Sequence, residues 1–174
     1  MKKVLLALTV FILVFSMAGC GTKKSTKREE TKQYSVEGTN LVYKLPKSWK
    51  SMEEEAEGAF QKEERGKVVV TFQVETVDLP NLDINKKENL DAYLKSVKAN
   101  NPYYKSNLKA KAKTVNDLKG QYISFDAEND NGEMKYQGFL FNIDGKLIAL
   151  SMFYQDSEYK KQFEDILTSI KVED

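Results

Sequence analysis

The sequence contains no histidine and a single cysteine, and these two scarcities exclude most familiar catalytic sites. Histidine is the commonest general base and a frequent metal ligand, so Ser-His-Asp, Cys-His and zinc sites built on it are excluded. Walker and Rossmann glycine patterns, which bind phosphate groups, are also missing from the sequence. Carboxylates are therefore the groups left for acid–base chemistry.

The cysteine, Cys20, follows a short apolar segment at the start of the chain. Lys2 and Lys3 precede a mainly apolar run over residues 4–18. This run is shorter than the ~20 residues that a bilayer-spanning helix needs. A basic start, an apolar segment and small residues before a cut site are typical of a secretory signal peptide, so we expect residues 1–19 to be removed.

The residues Met17, Ala18 and Gly19, followed by Cys20, resemble the lipobox of bacterial lipoproteins. The resemblance implies that the Cys20 thiol carries a diacylglyceryl group and that Cys20 becomes the first residue of the mature chain. Acyl chains such as palmitate hold a protein at a membrane, because each buried CH₂ contributes ~0.8 kcal/mol. The alternative is an ordinary small residue or free thiol behind a cleaved leader.

Removal of the first 19 of the 174 residues leaves 155, which is enough for one domain with a substantial core. Residues 20–32 hold five basic residues and no apolar one after Cys20, which predicts a flexible basic linker. The domain over 33–174 has 20 basic and 24 acidic residues, a charge that argues against nucleic-acid binding. Arginine occurs only as Arg28 and Arg65, a bias we associate with Gram-positive genomes.

Alternating apolar residues separated by turn residues predict a mainly antiparallel sheet. The expected strands are Tyr34–Glu37, Leu41–Leu45, Ala59–Lys62, Val68–Glu75, Lys105–Thr114, Gln121–Ala127, Glu133–Ile143 and Lys146–Tyr154. The last strand is apolar on both faces, so we expect it to be central. Lys109, Lys111 and Lys113 share one face of an earlier strand, which is typical of a protected sheet edge.

Two helices are predicted from apolar residues that recur at intervals of three and four. Asn85 and Glu88 have the spacing of a capping box at the start of the first helix. Asp156 or Ser157 can cap the second helix. The expected buried stripes are Leu90, Tyr93, Leu94 and Val97 in the first helix, and Tyr159, Phe163, Ile166, Leu167 and Ile170 in the second. The order of elements indicates the α+β class.

The stretch from Tyr34 to Trp49, with Leu41–Pro46 after a glycine-containing turn, resembles the opening of PsbP-like domains, a fold that includes the Ran-binding Mog-type proteins. Leu118–Gly120 before a strand and the closing helix that ends at Ile170 extend the resemblance. The resemblance implies an antiparallel sheet with helices packed on both faces, an α/β/α sandwich. Members of this fold mostly dock onto other proteins, and the resemblance brings no binding residue that can be placed here.

Three charged stretches are candidates for chemistry. Asp126–Gly132 alternates acidic residues, but its glycine stands seventh where a calcium-binding EF-hand requires it sixth, so a solvated turn is the preferred interpretation. The acidic run over 53–57 contains enough carboxylates for a glycosidase pair, but nothing in the sequence fixes their separation, so a solvated acidic run is the preferred interpretation. The three lysines at 109, 111 and 113 could bind phosphates or anionic wall polymers, but edge protection is the preferred interpretation.

Three aromatic residues are candidates for a partner-binding platform: Trp49, Tyr103 and Tyr104. Exposed aromatic side chains anchor many interfaces, and the two tyrosines follow directly after Pro102. The alternative is that these residues belong to the core and its margin, with Trp49 closing one end of the sheet.

The sequence therefore predicts a membrane-anchored extracytoplasmic lipoprotein that binds another protein or an envelope component, with no cofactor, no metal and no catalysis. A carboxylate-dependent hydrolase or accessory protein acting on cell-wall polymers is the alternative, and a small-ligand carrier is a third possibility. A hydrolase requires two acidic side chains in one pocket. A docking module requires an exposed apolar patch, and a carrier requires an enclosed cavity.

Overall fold

The computed structural model of the chain describes residues 29–52, 58–130 and 132–173. Within these ranges the chain forms ten strands and two helices, which confirms a mainly antiparallel architecture. In chain order they are β1 (Thr31–Ser35), β2 (Leu41–Pro46), β3 (Lys50–Ser51), β4 (Ala59–Glu64), β5 (Lys67–Asp78), α1 (Lys87–Asn100), β6 (Tyr104–Val115), β7 (Leu118–Asn129), β8 (Gly132–Ile143), β9 (Lys146–Tyr154), α2 (Glu158–Thr168) and β10 (Lys171–Val172).

Seven of these strands form one antiparallel sheet in the order β3-β4-β5-β9-β8-β7-β6. The apolar strand β9 pairs with β5 on one side and with β8 on the other, so its predicted central position is confirmed. The lysine-bearing strand β6 pairs with β7 alone and forms one edge, as its lysine pattern predicts. Asp144 and Gly145 connect β8 to β9 with φ angles of 48° and 75°, which suits a type I′ hairpin turn.

A smaller antiparallel sheet joins the two ends of the described chain. The predicted β1–β2 hairpin forms, and the short strand β10 pairs with the other side of β2. β1 begins at Thr31, two residues before the domain start expected at Gln33. The Asn116 side-chain amide donates to the main-chain carbonyls of Thr168 and Ile170, which fixes the end of α2 beside this sheet.

The core is divided into two clusters, and alternate residues of β9 belong to different clusters. Ile148, Leu150, Met152 and Tyr154 lie in the first cluster, with the buried side chains of α2 and apolar residues of β2. Leu147, Ala149 and Phe153 lie in the second cluster, with the apolar stripe of α1. All five stripe residues predicted for the closing helix are buried, whereas Val97 alone of the four predicted for α1 is fully buried.

The capping box predicted at the start of α1 is wrong. The helix begins after Lys86, whose side chain makes no capping hydrogen bond. Asn85 instead accepts a hydrogen bond from the Gln121 side chain and donates to the Lys119 carbonyl, because it lies close enough to β7 to reach these tertiary partners. Among the described residues, no helix is long and apolar enough to cross a bilayer.

Candidate functional site

An apolar recess opens between β4, β5 and β9 at one end of the large sheet. Its apolar lining includes Met52, Phe60, Phe72, Tyr103, Met134 and Phe153, and its polar lining side chains are Thr71, Gln73, Asn129 and Ser151. The recess has a volume of about 40 Å³. Ligand pockets for drug-sized molecules enclose roughly 300–1,000 Å³, so this recess is too small to enclose a ligand of that size.

A polar recess of about 160 Å³ lies where β6, β7 and β8 run side by side. Asp126 is its central acid: Lys135 contacts one carboxylate oxygen at 2.6 Å, and the Asn107 amide and the Ser106 hydroxyl donate to the other. The hydrogen bond from Lys135, followed by that from Asn107, lowers the pKa of Asp126. The carboxylate is therefore held in its charged form.

Lys105 forms the second ion pair of the polar recess. Its ammonium group contacts Glu133 at 2.7 Å and Glu128 at 3.0 Å. The hydrogen bond from Lys105 lowers the pKa of Glu133, so this acid is also held in its charged form. Each carboxylate in the recess thus has a lysine partner, and the site has the character of a surface ion-pair network.

The stretch Asp126–Gly132, for which a solvated turn is the preferred interpretation over a calcium-binding loop, lies largely within β7 and β8. Asp126 and Glu128 lie within the regular part of β7, opposite Lys135 and Glu133 on β8, so the chain does not wrap around a cation there. Among the described residues, no group of three acidic, histidine or cysteine side chains is placed to hold a metal ion.

The pKa of one carboxylate, that of Glu75, is raised rather than lowered, and the sequence did not single out this residue. Burial raises the pKa of Glu75, which lies on β5. Burial, followed by the charge of Glu75, raises the pKa of Tyr93 on α1 to about 12. Burial, followed by the charges of Tyr93 and Glu75, raises the pKa of Tyr136. Glu75 pairs with Ala149, which belongs to the second core cluster, so this carboxylate lies on the face of the sheet that α1 covers. The only signal in the sequence is the position of Glu75 on the less apolar face of an alternating strand.

The aromatic platform predicted from Trp49, Tyr103 and Tyr104 does not form. Trp49 is only 3% exposed and packs edge-on against Phe72 in the first core cluster. Trp49 belongs to the core, as in the alternative interpretation, so the prediction of a surface Trp49 is wrong. Burying this large ring is favourable, and the turn after Pro46 directs it inward.

Tyr103 and Tyr104 are half-buried and belong to the second core cluster, separate from Trp49. Tyr103 packs edge-on against Phe153, and Tyr104 against Phe125. Tyr103 still borders the apolar recess, where it remains a candidate contact for a partner side chain. Among the described residues, Val172 is the only large apolar side chain that is strongly exposed, so a broad apolar docking patch is missing from this part of the chain.

The three lysines of β6 have different surroundings. Lys113 pairs with Glu164 of α2 and lies over the Tyr122 ring, 4.7 Å from its centroid. Lys109 and Lys111 are exposed, and within the described ranges neither has an acidic partner. The acidic run over 53–57 lies outside the described residues, so its predicted role in a carboxylate pair stays a prediction.

The overall arrangement has counterparts among solved structures. The cyanobacterial PsbP protein of Synechocystis, CyanoP, superposes with a TM-score of 0.56 at 16% identity, over 88% of this chain and 98% of CyanoP. The Ran-binding protein Mog1p of Saccharomyces cerevisiae gives a TM-score of 0.53 at 11% identity, over 83% and 96% of the two chains. The domain has the fold of PsbP and Mog1p.

A structure from Bacteroides thetaiotaomicron also superposes, with a TM-score of 0.57 at 12% identity over 82% of this chain. This chain covers 48% of that protein, or about half of its length. No protein-family model and no curated protein sequence matches the chain. At these identities the three likenesses establish the fold alone.

Proposed function

We propose that this protein is a lipid-anchored, extracytoplasmic lipoprotein whose PsbP-like domain, with a helix packed on each face of the large sheet, binds another protein or an envelope component without catalysing a reaction. In this proposal Cys20 carries the acyl chains and residues 21–28 form the tether to β1. The tether holds basic residues, which anionic lipid headgroups attract.

The fold is the observation that carries the binding role. Mog1p is a Ran-binding protein, and its fold extends over 83% of this chain. The two domains therefore share a scaffold on which protein binding occurs in at least one solved neighbour. Because one fold hosts many functions, the partner itself has to come from the surface of this chain.

The electrostatics of the polar recess favour binding over hydrolysis. A glycosidase needs one carboxylic acid with a raised pKa to protonate the leaving group, and a second carboxylate at a set distance. Asp126 and Glu133 both have lowered pKa values because lysines hold them ionised. Glu75 has a raised pKa, but it lies on the face of the sheet that α1 covers rather than beside a second acid in the recess.

Fractionation of cells that express Cys20→Ala tests the anchor. We expect the wild-type chain in the membrane fraction, and the variant domain folded with an unchanged melting temperature but released from the membrane. In a second variant a cysteine-free secretory leader replaces residues 1–20. This variant distinguishes membrane binding through the lipid from membrane binding through a leader that is not cleaved. If this second variant is folded and still sediments with membranes, the lipid-anchor proposal is wrong.

A further inference from the structure

Among the strands that the structure describes, β6 has the longest unpaired edge of the large sheet. The opposite edge is β3, which has two residues, whereas β6 has twelve. An irregular pairing ends at Lys109, and from Lys109 to Val115 the register with β7 is continuous. Alternate residues of such a strand direct their N–H and C=O groups away from the sheet. Among the described residues, no main-chain group outside β7 pairs with this segment.

The side chains along this segment differ between its two sides. On one side Lys109 and Lys111 are exposed and have no acidic partner in the described ranges, while the next lysine, Lys113, is held by Glu164. On the other side are two small side chains, Ala110, which is half-buried against the second core cluster, and Ala112, which is exposed. The segment is thus basic on one side, small and apolar on the other, and open along its main chain.

We propose that the edge of β6 binds an extended acidic segment of a partner protein, which adds to the large sheet as an eighth strand. Main-chain hydrogen bonds to Lys109–Val115 hold the segment in register. Its alternate carboxylates pair with Lys109 and Lys111, and its intervening apolar side chains lie against Ala110 and Ala112. The inference deepens the proposed protein-binding function and explains how a domain whose described residues form no broad apolar patch docks a partner.

Charge complementarity selects this occupant. A neutral or basic strand leaves Lys109 and Lys111 unpaired next to the new backbone, whereas an acidic strand pairs both. The lysines also block self-association, because a second copy of β6 brings like charges to the same edge. The edge is therefore closed to copies of this chain and open to an acidic strand.

The test uses the purified full chain and a defined peptide in which Glu and Val alternate over eight residues. We expect the peptide to bind, and hydrogen exchange followed by mass spectrometry to show slower amide exchange within residues 104–115. The same peptide with N-methyl groups on alternate residues keeps its charge but loses main-chain donors, so we expect it to bind at least tenfold more weakly.

The variant Lys109→Thr/Lys111→Thr should weaken peptide binding about tenfold, because it removes two exposed ion pairs with the peptide, each of which contributes modestly. Lys44→Thr/Lys171→Thr is the matched control, because it removes two exposed lysines from the small sheet and lowers the net charge equally. We expect this control to bind the peptide like wild type.

Three outcomes overturn the inference: no binding of the peptide, equal binding of the N-methylated peptide, or equal loss in the two lysine variants. Inorganic polyphosphate is the probe for an anionic polymer. If polyphosphate binds and the peptide does not, the lysines bind an anionic polymer and the inference is wrong. Chemical crosslinking in intact cells keeps the two proposals separate. If a protein partner crosslinks at the membrane while the peptide fails to bind, the edge inference is wrong and the proposed function stands.

Discussion

Replacement of Gly120 by alanine tests how tightly β7 packs against β8. Gly120 is buried and pairs with Phe141 in the large sheet. A Cβ atom at this position would lie 2.2 Å from the Leu140 carbonyl oxygen and 2.9 Å from both the Phe139 ring and the Phe141 Cβ. All three neighbouring residues are completely buried, so the added methyl group has to move main chain rather than a flexible side-chain end.

The expected cost follows from two opposing contributions. An added methylene or methyl group in a well-packed core costs about 1–3 kcal/mol, and the main-chain clash places Gly120→Ala near the upper end. Alanine also lowers the conformational entropy of the unfolded chain, which stabilises the folded state by about 0.4–1 kcal/mol. We therefore expect the free energy of unfolding to fall by about 2 kcal/mol. For a domain of this size that corresponds to a melting temperature lower by about 6 °C.

Urea denaturation followed by circular dichroism measures this change, with Gly66→Ala as the control. Apart from its two chain neighbours, no atom of the described residues lies within 4 Å of a Cβ at Gly66, but the φ of +77° there is unfavourable for alanine. That strain costs about 1–2 kcal/mol before the same gain in the unfolded state, so we expect the control to lose less than Gly120→Ala. Equal losses in the two variants would refute the packing argument for Gly120.

Three further changes test other parts of the structure. Burial raises the pKa of Glu75 in the folded state. The stability that comes from protonated Glu75 is therefore fully present below the unfolded pKa and is lost as the pH rises through the folded pKa. In urea titrations we expect Glu75→Gln to be more stable than wild type at pH 7 and equally stable below about pH 4. Asn142 accepts from the Ile84 N–H at 2.8 Å, so Asn142→Ala should cost about 2 kcal/mol and speed amide exchange before α1. Phe163→Ala should cost about 3–5 kcal/mol in thermal unfolding because Phe163 is completely buried, against ~0.5 kcal/mol or less for the exposed Lys160→Ala.

Much of the large sheet was predictable because its signals are local. The doubly apolar stretch Leu147–Tyr154 predicts a central strand, since both of its faces must be covered. The lysines of β6 predict an edge for the opposite reason, because charged side chains are favoured where a strand meets solvent. The dipeptide Asp144-Gly145 predicts the β8–β9 hairpin through its left-handed conformation.

The features that were not predicted depend on contacts between distant parts of the chain. β10 pairs with β2 across more than 120 residues, and two residues carry no recognisable strand pattern. Asn85 and Glu88 have the spacing of a capping box, but the Asn85 side chain forms hydrogen bonds with β7 instead of capping α1. Trp49 was wrongly predicted to lie at the surface, and Glu75 was missed. In both cases burial of the side chain depends on which strands and helices pack beside it.

Mass spectrometry of the N-terminal peptide from the native protein tests the central claim most directly. We expect a mature chain that begins at Cys20 and carries the added mass of a diacylglyceryl group on this residue. An unmodified Cys20, or a peptide that still contains residues 1–19, would contradict it.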